Sequence, residues 1–288
     1  MCFHIETARF GRKVEIKSDP EMDKDNTDIA ILIAGLGRGA VAKIGDTRPA
    51  FVFCLHGDLQ LQSNGQSLLI SEGQLYVNTE SDIRISSIGD AQWLTLYFSG
   101  NDYPHLIGEP NGQSTPLFTS VETFNDGTRK VCLDILLHAH SEKCPVEHAE
   151  ALIEILANYH SLCSSRLWKS PGRNEKAQRL SLQRLLKARN KIATDPGSSI
   201  TIAQLAAQAN YSEWHFIRLF HRVFEETPIE YANRLRLKRA KHMLISSRMT
   251  VSEIARDSGY ETFSAFCRSF RHHYGMTASS LRVKTAAP

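Results

Sequence analysis

Thr201-Ile-Ala-Gln-Leu-Ala-Ala-Gln-Ala-Asn-Tyr-Ser212 and Thr250-Val-Ser-Glu-Ile-Ala-Arg-Asp-Ser-Gly-Tyr-Glu261 are two versions of one pattern, 49 residues apart. Each is a short amphipathic stretch closed by a turn. Small Ala206 and Ala255 follow apolar Leu205 and Ile254, which lets a second helix cross closely. Asn210 and Gly259 hold the same place in the turn, and both residue types tolerate a left-handed backbone. Short helix, tight turn and second helix make a helix-turn-helix, predicted at about 201–224 and again at about 251–273.

The helix after each turn has two faces. In the first, Phe216, Leu219, Phe220 and Val223 stand at i, i+3, i+4 and i+7 and are core, which leaves Trp214, Ile217, Arg218, His221 and Arg222 pointing away. In the second, Phe266, Phe270 and Tyr274 form the buried line, with Ser264, Arg268 and Arg271 opposite. Arginine on an outward helix face suits bidentate contact with guanine in a major groove, and flanking basic groups suit phosphates. Pro228 opens a helix predicted at about 228–246, rich in Arg, Lys, Leu and Ala. At 1.5 Å per residue its Ile229–Ile245 stretch is a stiff spacer of roughly 25 Å. Its run from Arg234 to Lys241 reads as a solvated face with some phosphate contact.

Charge divides the chain in the same way. Residues 1–172 carry 14 basic and 22 acidic residues, a balance of −8, whereas 173–288 carry 20 and 9, a balance of +11. The whole-chain value of +3 hides that asymmetry, the electrostatic footprint of a polyanion-binding unit behind an acidic one. The break falls at Ser170-Pro171-Gly172, giving domains at 1–172 and 173–288. No apolar stretch in Met1–Val14 has the length of a signal peptide, and longer apolar runs are strand-length, so a soluble cytoplasmic protein is expected.

Residues 179–284 resemble the DNA-binding domain of AraC/XylS-type transcription regulators. The matches are Ser212-Glu-Trp-His-Phe-Ile-Arg-Leu-Phe220, Thr227-Pro-Ile-Glu-Tyr231, Arg234-Leu-Arg-Leu-Lys-Arg-Ala-Lys241, Val251-Ser-Glu-Ile-Ala255, Ser258-Gly-Tyr260, and Phe263 through Tyr274-Gly275-Met-Thr277. The resemblance implies promoter DNA and RNA polymerase as partners, with activation as the mode. It also implies base reading by Trp214, Ile217 and Arg218 in the first motif and by Ser264 and Arg268 in the second. Ile217 and Ser264 stand where family members often carry a longer polar residue, so fewer bases are read there by hydrogen bonds. A β-rich sensor in front, often cupin-like, with helices for homodimerisation, is the further implication.

The whole chain reads as α+β in two domains, an all-α domain with the two motifs preceded by a cupin-like β-barrel at about 25–100 and helices at about 120–168. Seven strand-like runs alternate with turn signals: Ile29–Ile33, Ala50–Leu55, Asp58–Gln62, Ser67–Ile70, Gln74–Val77, Asp82–Ile85 and Gln92–Phe98. Helical spacing then takes over at roughly 120–141 and 146–168. His56-Gly57-Asp58 and Ser71-Glu-Gly-Gln74 are similar to the cupin hairpin pattern, yet His56 lacks the neighbouring histidine of the metal-using cupins. Neither a catalytic residue nor a cofactor is expected. A small effector would meet Phe51, Phe53, Leu61 and Trp93, with Leu55, Leu59 and Tyr97, if these residues face inward. Ordinary core is the bland reading. His138, His140, Cys144 and His148 could ligate a metal, but they straddle a helix end and Pro145, and surface roles are expected. The six cysteines show no C-x-x-C spacing, and neither Cys54 nor Cys144 has a neighbour that would lower its pKa. Two other readings stay open: an enzyme barrel delivered to DNA, and a regulator controlled by a protein partner without a small ligand.

Overall fold

β5 (Ala50–Ser63) and β8 (Ile83–Phe98) organise the first part of the molecule, running antiparallel from Ala50 opposite Tyr97 to Ser63 opposite Ile83. The computed structural model describes residues 2–9, 13–17, 29–45, 49–63, 65–79, 82–98, 116–138, 146–197 and 201–286. The chain divides into two units, 1–168 and 169–288.

Among the described residues of the first unit, β1 (Cys2–Arg9), β3 (Ile29–Leu36), β8, β5, β7 (Gln74–Asn78) and β9 (Ser120–Thr123) follow one another across a nine-stranded sheet. β4 (Val41–Gly45) flanks β8, β2 (Lys13–Lys17) pairs with β4, and β6 (Gln66–Ser71) pairs with β5. The sequence predicts separate strands at 50–55 and 58–62, and again at 82–85 and 92–98. Each pair is instead one long strand. The turn signals mark irregularities: the β5 register shifts between Cys54, His56 and Asp58, and Gly57 and Gly89 take φ of 73° and 68°. The bend is sharp, because Trp93 Nε1 donates to Ser87 Oγ at 3.1 Å. Six extended residues would hold those positions about 20 Å apart. Among the described residues the strand path is open, ending at β1 and β9, so the expected barrel is not closed.

Cross-strand partners share a face. Val52 with Thr95 and Cys54 with Trp93 lie on one side of the sheet, and Phe51 with Leu96 and Phe53 with Leu94 on the other. Helices cover the second side. Phe51 meets Tyr159 edge-on at 5.7 Å, and Phe53 meets Phe124 at 5.8 Å. The expected helix at 120–141 is shorter: residues 120–123 form β9, antiparallel beside β7, and Asn125 caps α1 (Asp126–Leu137) by accepting from Thr128 N. α2 (Val146–Lys169) is tied to β9. Tyr159 donates to Phe118 O at 2.9 Å, and Arg166 grips Glu122 with both guanidinium nitrogens at 2.5 and 3.1 Å. Both ions are buried, and removing either alone would strand the other at a cost of about 3–5 kcal/mol.

The second unit is helical: α3 (Glu175–Thr194), α4 (Ile202–Gln208), α5 (Glu213–Phe224), α6 (Pro228–Ser246), α7 (Val251–Asp257), α8 (Phe263–Tyr274) and α9 (Ala278–Ala286). α6 belongs to both motifs. Its Tyr231 faces Phe220 of the first, while Leu237, Ala240 and Leu244 share a buried core with Ile254, Ala255, Phe266 and Phe270 of the second. α3 buries Leu182, Leu185, Leu186 and Ile192, and sets the Arg189 guanidinium over Tyr231 at 4.6 Å and Phe224 at 5.2 Å. No described helix is long and apolar enough to cross a membrane.

Candidate nucleic-acid interface

Each motif begins with a reciprocal cap. Gln204 N donates to Thr201 Oγ1 at 3.2 Å while Thr201 N donates to Gln204 Oε1 at 3.0 Å. Thr250 and Glu253 repeat the exchange at 3.2 and 2.7 Å. Donation from the Thr250 backbone and hydroxyl holds the Glu253 carboxyl below the ordinary carboxylate range.

The turns share hydrogen bonds. Tyr211 N reaches Ala206 O at 2.9 Å, and Tyr260 N reaches Ala255 O at 3.1 Å. Asn210 and Gly259 both have left-handed backbones, with φ of 58° and 80°. After this point the copies diverge. Ser212 takes the N-cap position of α5 directly, with no side-chain cap bond, whereas Glu261 adds one residue before Thr262 caps α8. That insertion accounts for the offset of 50 between Arg218 and Arg268.

The helices then present the two faces read from the sequence. Phe216, Leu219, Phe220 and Val223 are buried, and Trp214, Arg218, His221 and Arg222 are exposed, with Ile217 half-buried at their edge. Trp214 is 70% exposed, and the Arg218 guanidinium lies 4.7 Å from the centre of its ring. An exposed indole stacked by a cation is a preassembled pair that can offer an apolar plane and a bidentate donor together. In α8, Phe266 and Phe270 are fully buried, Tyr274 is half-buried, and Ser264, Arg268 and Arg271 are exposed. Phe263, 49% exposed beside Ser264, was missed by periodicity because it precedes the buried line.

The basic run of α6 is more occupied than its sequence suggests. Arg234 binds Glu226 at 2.8 and 3.1 Å, Arg236 donates to Pro196 O, and Arg239 lies 3.5 Å from Asp257. Lys241 sits 5.3 Å over the Tyr274 ring. Lys169 pairs with Glu225, the left-handed residue that ends α5, at 2.5 Å. These cations brace the helices.

The effector candidates do not converge. Phe51 and Phe53 lie on the helix-covered side of the sheet, opposite Trp93. Leu61 is buried on the other half of β5, where it pairs with Leu68 and Ile85. Alternation along β5 forces this separation, since Phe51 and Phe53 are in register with Leu96 and Leu94 rather than with Trp93. His56 pairs with Glu72 at 3.0 Å, and Glu72 also holds Arg129 of α1 at 2.7 Å. The rings of His138 and His148 are 5.5 Å apart, while His140 and Cys144 lie outside the described residues. Among the described residues no group of three or more His, Cys, Asp or Glu is placed to hold a metal. Cys54 is buried with its thiol 3.3 Å from Gly57 O. Burial pushes the thiols of Cys132 and Cys163 up to about 12 and about 11.

This geometry defines a tandem helix-turn-helix DNA-binding unit. A family model described as "Helix-turn-helix domain" matches residues 205–284. The regulatory protein SoxS of Salmonella typhimurium is 32% identical over 83 residues, 29% of this chain and 78% of that protein. The Msm operon regulatory protein of Streptococcus mutans is 20% identical over 235 residues, 80% of this chain and 82% of its own length. Several other curated relatives are matched over only about a third of their length. Among solved structures, ToxT from Vibrio cholerae, bound to a naphthalenyl butenoic acid, aligns over 89% of this chain and 98% of its own, at 10% identity and a TM-score of 0.37. The chain belongs to the AraC/XylS family of DNA-binding transcription regulators. These are regulators, not enzymes.

Proposed function

We propose that the chain activates transcription by binding a bipartite promoter site, α5 and α8 each entering a major groove. The observation that carries this reading is the opposition, on both helices, of a buried aromatic line and an exposed arginine face. Trp214, Ile217 and Arg218 read the first half-site, with His221 and Arg222 toward phosphates; Ser264, Arg268 and Arg271 serve the second. Reading by Ile217 is apolar contact with a thymine methyl. RNA polymerase is the downstream partner. The acidic unit, 1–172 in sequence terms, is the cupin-like sensor, holding the chain as a homodimer through its helices and responding to a small effector or a regulatory protein in the cytoplasm.

Selection of duplexes from a random library by the full chain, followed by Arg218→Ala and Arg268→Ala, tests it. Each variant is expected to lose discrimination in a different half-site, by about 1–3 kcal/mol per bidentate contact. Unchanged specificity in both would overturn the assignment. Affinity should also fall steeply with salt if several phosphates are neutralised. A saturable thermal shift of the full chain in a metabolite screen favours the small effector, and consistent silence the protein partner.

A further inference from the structure

The two motifs have separate aromatic cores joined along α6, and a second connection runs beside that helix. Residues Asp195, Pro196 and Gly197 leave the end of α3, which is anchored by buried Ile192 and Ala193. Arg236 of α6 donates from Nε to Pro196 O. Gly197 then lies against the turn of the second motif. A Cβ built on Gly259 would come within 2.7 Å of Gly197 Cα and 2.9 Å of its carbonyl oxygen, so the two backbones touch with no side chain between them.

We infer that this segment is a clasp that fixes the rotational setting of the second motif relative to the first, and thereby sets the base-pair spacing the protein accepts. The inference rests on the bipartite DNA reading proposed above. Two bodies packed on different stretches of one helix can still shear and rotate about it. A contact off the helix axis removes that freedom. The clasp starts in α3, is fastened to α6 midway by Arg236, and ends on the residue whose left-handed turn orients α8. One base pair of extra spacing rotates the second half-site by about 35° around the duplex, since a turn holds 10–10.5 base pairs. A clasped protein cannot follow that rotation. A loosened one can.

The chemistry at Gly197 supplies matched variants. Its own Cβ would meet only ordinary contacts, Asp195 Oδ1 at 3.7 Å and Gly259 backbone at 3.8 Å, so Gly197→Ala fits. A branched side chain at the same position extends from a Cβ already 3.8 Å from the Gly259 backbone, and is expected to press on the second turn. Gly197→Leu is therefore the wedge, Gly197→Ala its control, and Arg236→Gln an independent release of the fastening, with Arg236→Lys as the conservative exchange.

The test uses the full chain and the bipartite duplex recovered by random selection, at the selected spacing and with one base pair inserted or deleted between the halves. The readout is the ratio of affinities across spacings, which the loss of a phosphate contact would leave unchanged. Wild type and Gly197→Ala are expected to lose roughly tenfold or more on the shifted duplexes, the cost of one lost good contact or mismatch. Gly197→Leu and Arg236→Gln should compress that ratio to about threefold or less, with Arg236→Lys between them. Wild-type ratios in both Gly197→Leu and Arg236→Gln, each with unchanged circular dichroism, would overturn the clasp. If Gly197→Leu fails to fold, Arg236→Gln alone decides. Failure of the wild type to select any sequence would instead overturn the DNA reading on which the clasp depends.

Discussion

The first and second helix-turn-helix copies share their entrance and diverge after the turn. α4 and α7 carry the same reciprocal cap and return the same backbone hydrogen bonds through Asn210 and Gly259. Beyond that point the first copy closes at once on Ser212, buries four apolar residues along α5, and stacks Arg218 on Trp214. The second inserts Glu261, caps with Thr262, buries two phenylalanines, and leaves Ser264 where the first has Trp214. The fold is thus conserved between the copies where it must form the corner, and freed where it meets a ligand. Under the proposed DNA reading, the first motif presents a stacked Trp214–Arg218 pair that the second lacks.

The largest expected effect tests whether the two cores are separate in stability as well as in space. Phe220→Ala and Phe270→Ala each open a fully buried site at about 3–5 kcal/mol. Because α6 lends residues to both cores, calorimetry of either variant should show one lowered transition for the helical unit. A split transition, with one motif melting alone, would break the idea of a shared spine.

Turn chemistry gives the next contrast. Gly259→Ala meets both a left-handed backbone and the Gly197 backbone, and should cost at least about 2 kcal/mol in urea denaturation. Asn210→Gly, at φ of 58°, should stay within about 0.5 kcal/mol of wild type. Equal costs would mean that the Gly197 contact does not form in solution. A smaller contrast follows at the caps. Thr262 accepts from Ala265 N at 3.2 Å, whereas Ser212 makes no side-chain cap bond. Thr262→Ala should cost about 1 kcal/mol and Ser212→Ala only a few tenths.

Legibility in the sequence follows the same divide. The two motifs were readable because a helix repeats its faces every three or four residues, and Phe216, Phe220, Phe266 and Phe270 mark that period in a short window. α3 could have been found from Leu182, Leu185, Leu186 and Ile192, which share one face. The sheet was harder. His56-Gly57-Asp58 and Ile88-Gly89-Asp90 look like turns, yet a bulge uses the same residues without ending the ladder. Alternation is legible within each strand but register between strands is not, so the sequence does not tell that Phe51 and Phe53 pair with Leu96 and Leu94 and turn away from Trp93. Arg234, Arg236 and Arg239 read as a free basic face because their partners, Glu226, Pro196 and Asp257, lie 8, 40 and 18 residues away. Periodicity carries no information about such contacts.

The smallest effect separates the copies by a single atom type. The first cap is closed by Gln204, which does not titrate, and the second by Glu253, whose carboxyl is held below its ordinary value of 4.5 by the Thr250 backbone and hydroxyl. A depressed folded-state pKa contributes stability that is present above the unfolded pKa and lost as pH falls through the folded one. The second motif should therefore loosen its first turn in a window below about pH 4.5 while the first does not. By NMR, the Thr250 amide should titrate with a midpoint below that of an ordinary exposed glutamate, and the Thr201 amide should show no such step. Glu253→Gln removes the step and Gln204→Glu installs it at Thr201. Because Glu230 caps α6 in the same way, held low by Thr227, the Thr227 amide supplies an internal reference that neither exchange should move. A Thr250 midpoint at the ordinary value would mean that the second cap is open in solution, and that the likeness between the two entrances ends at the backbone.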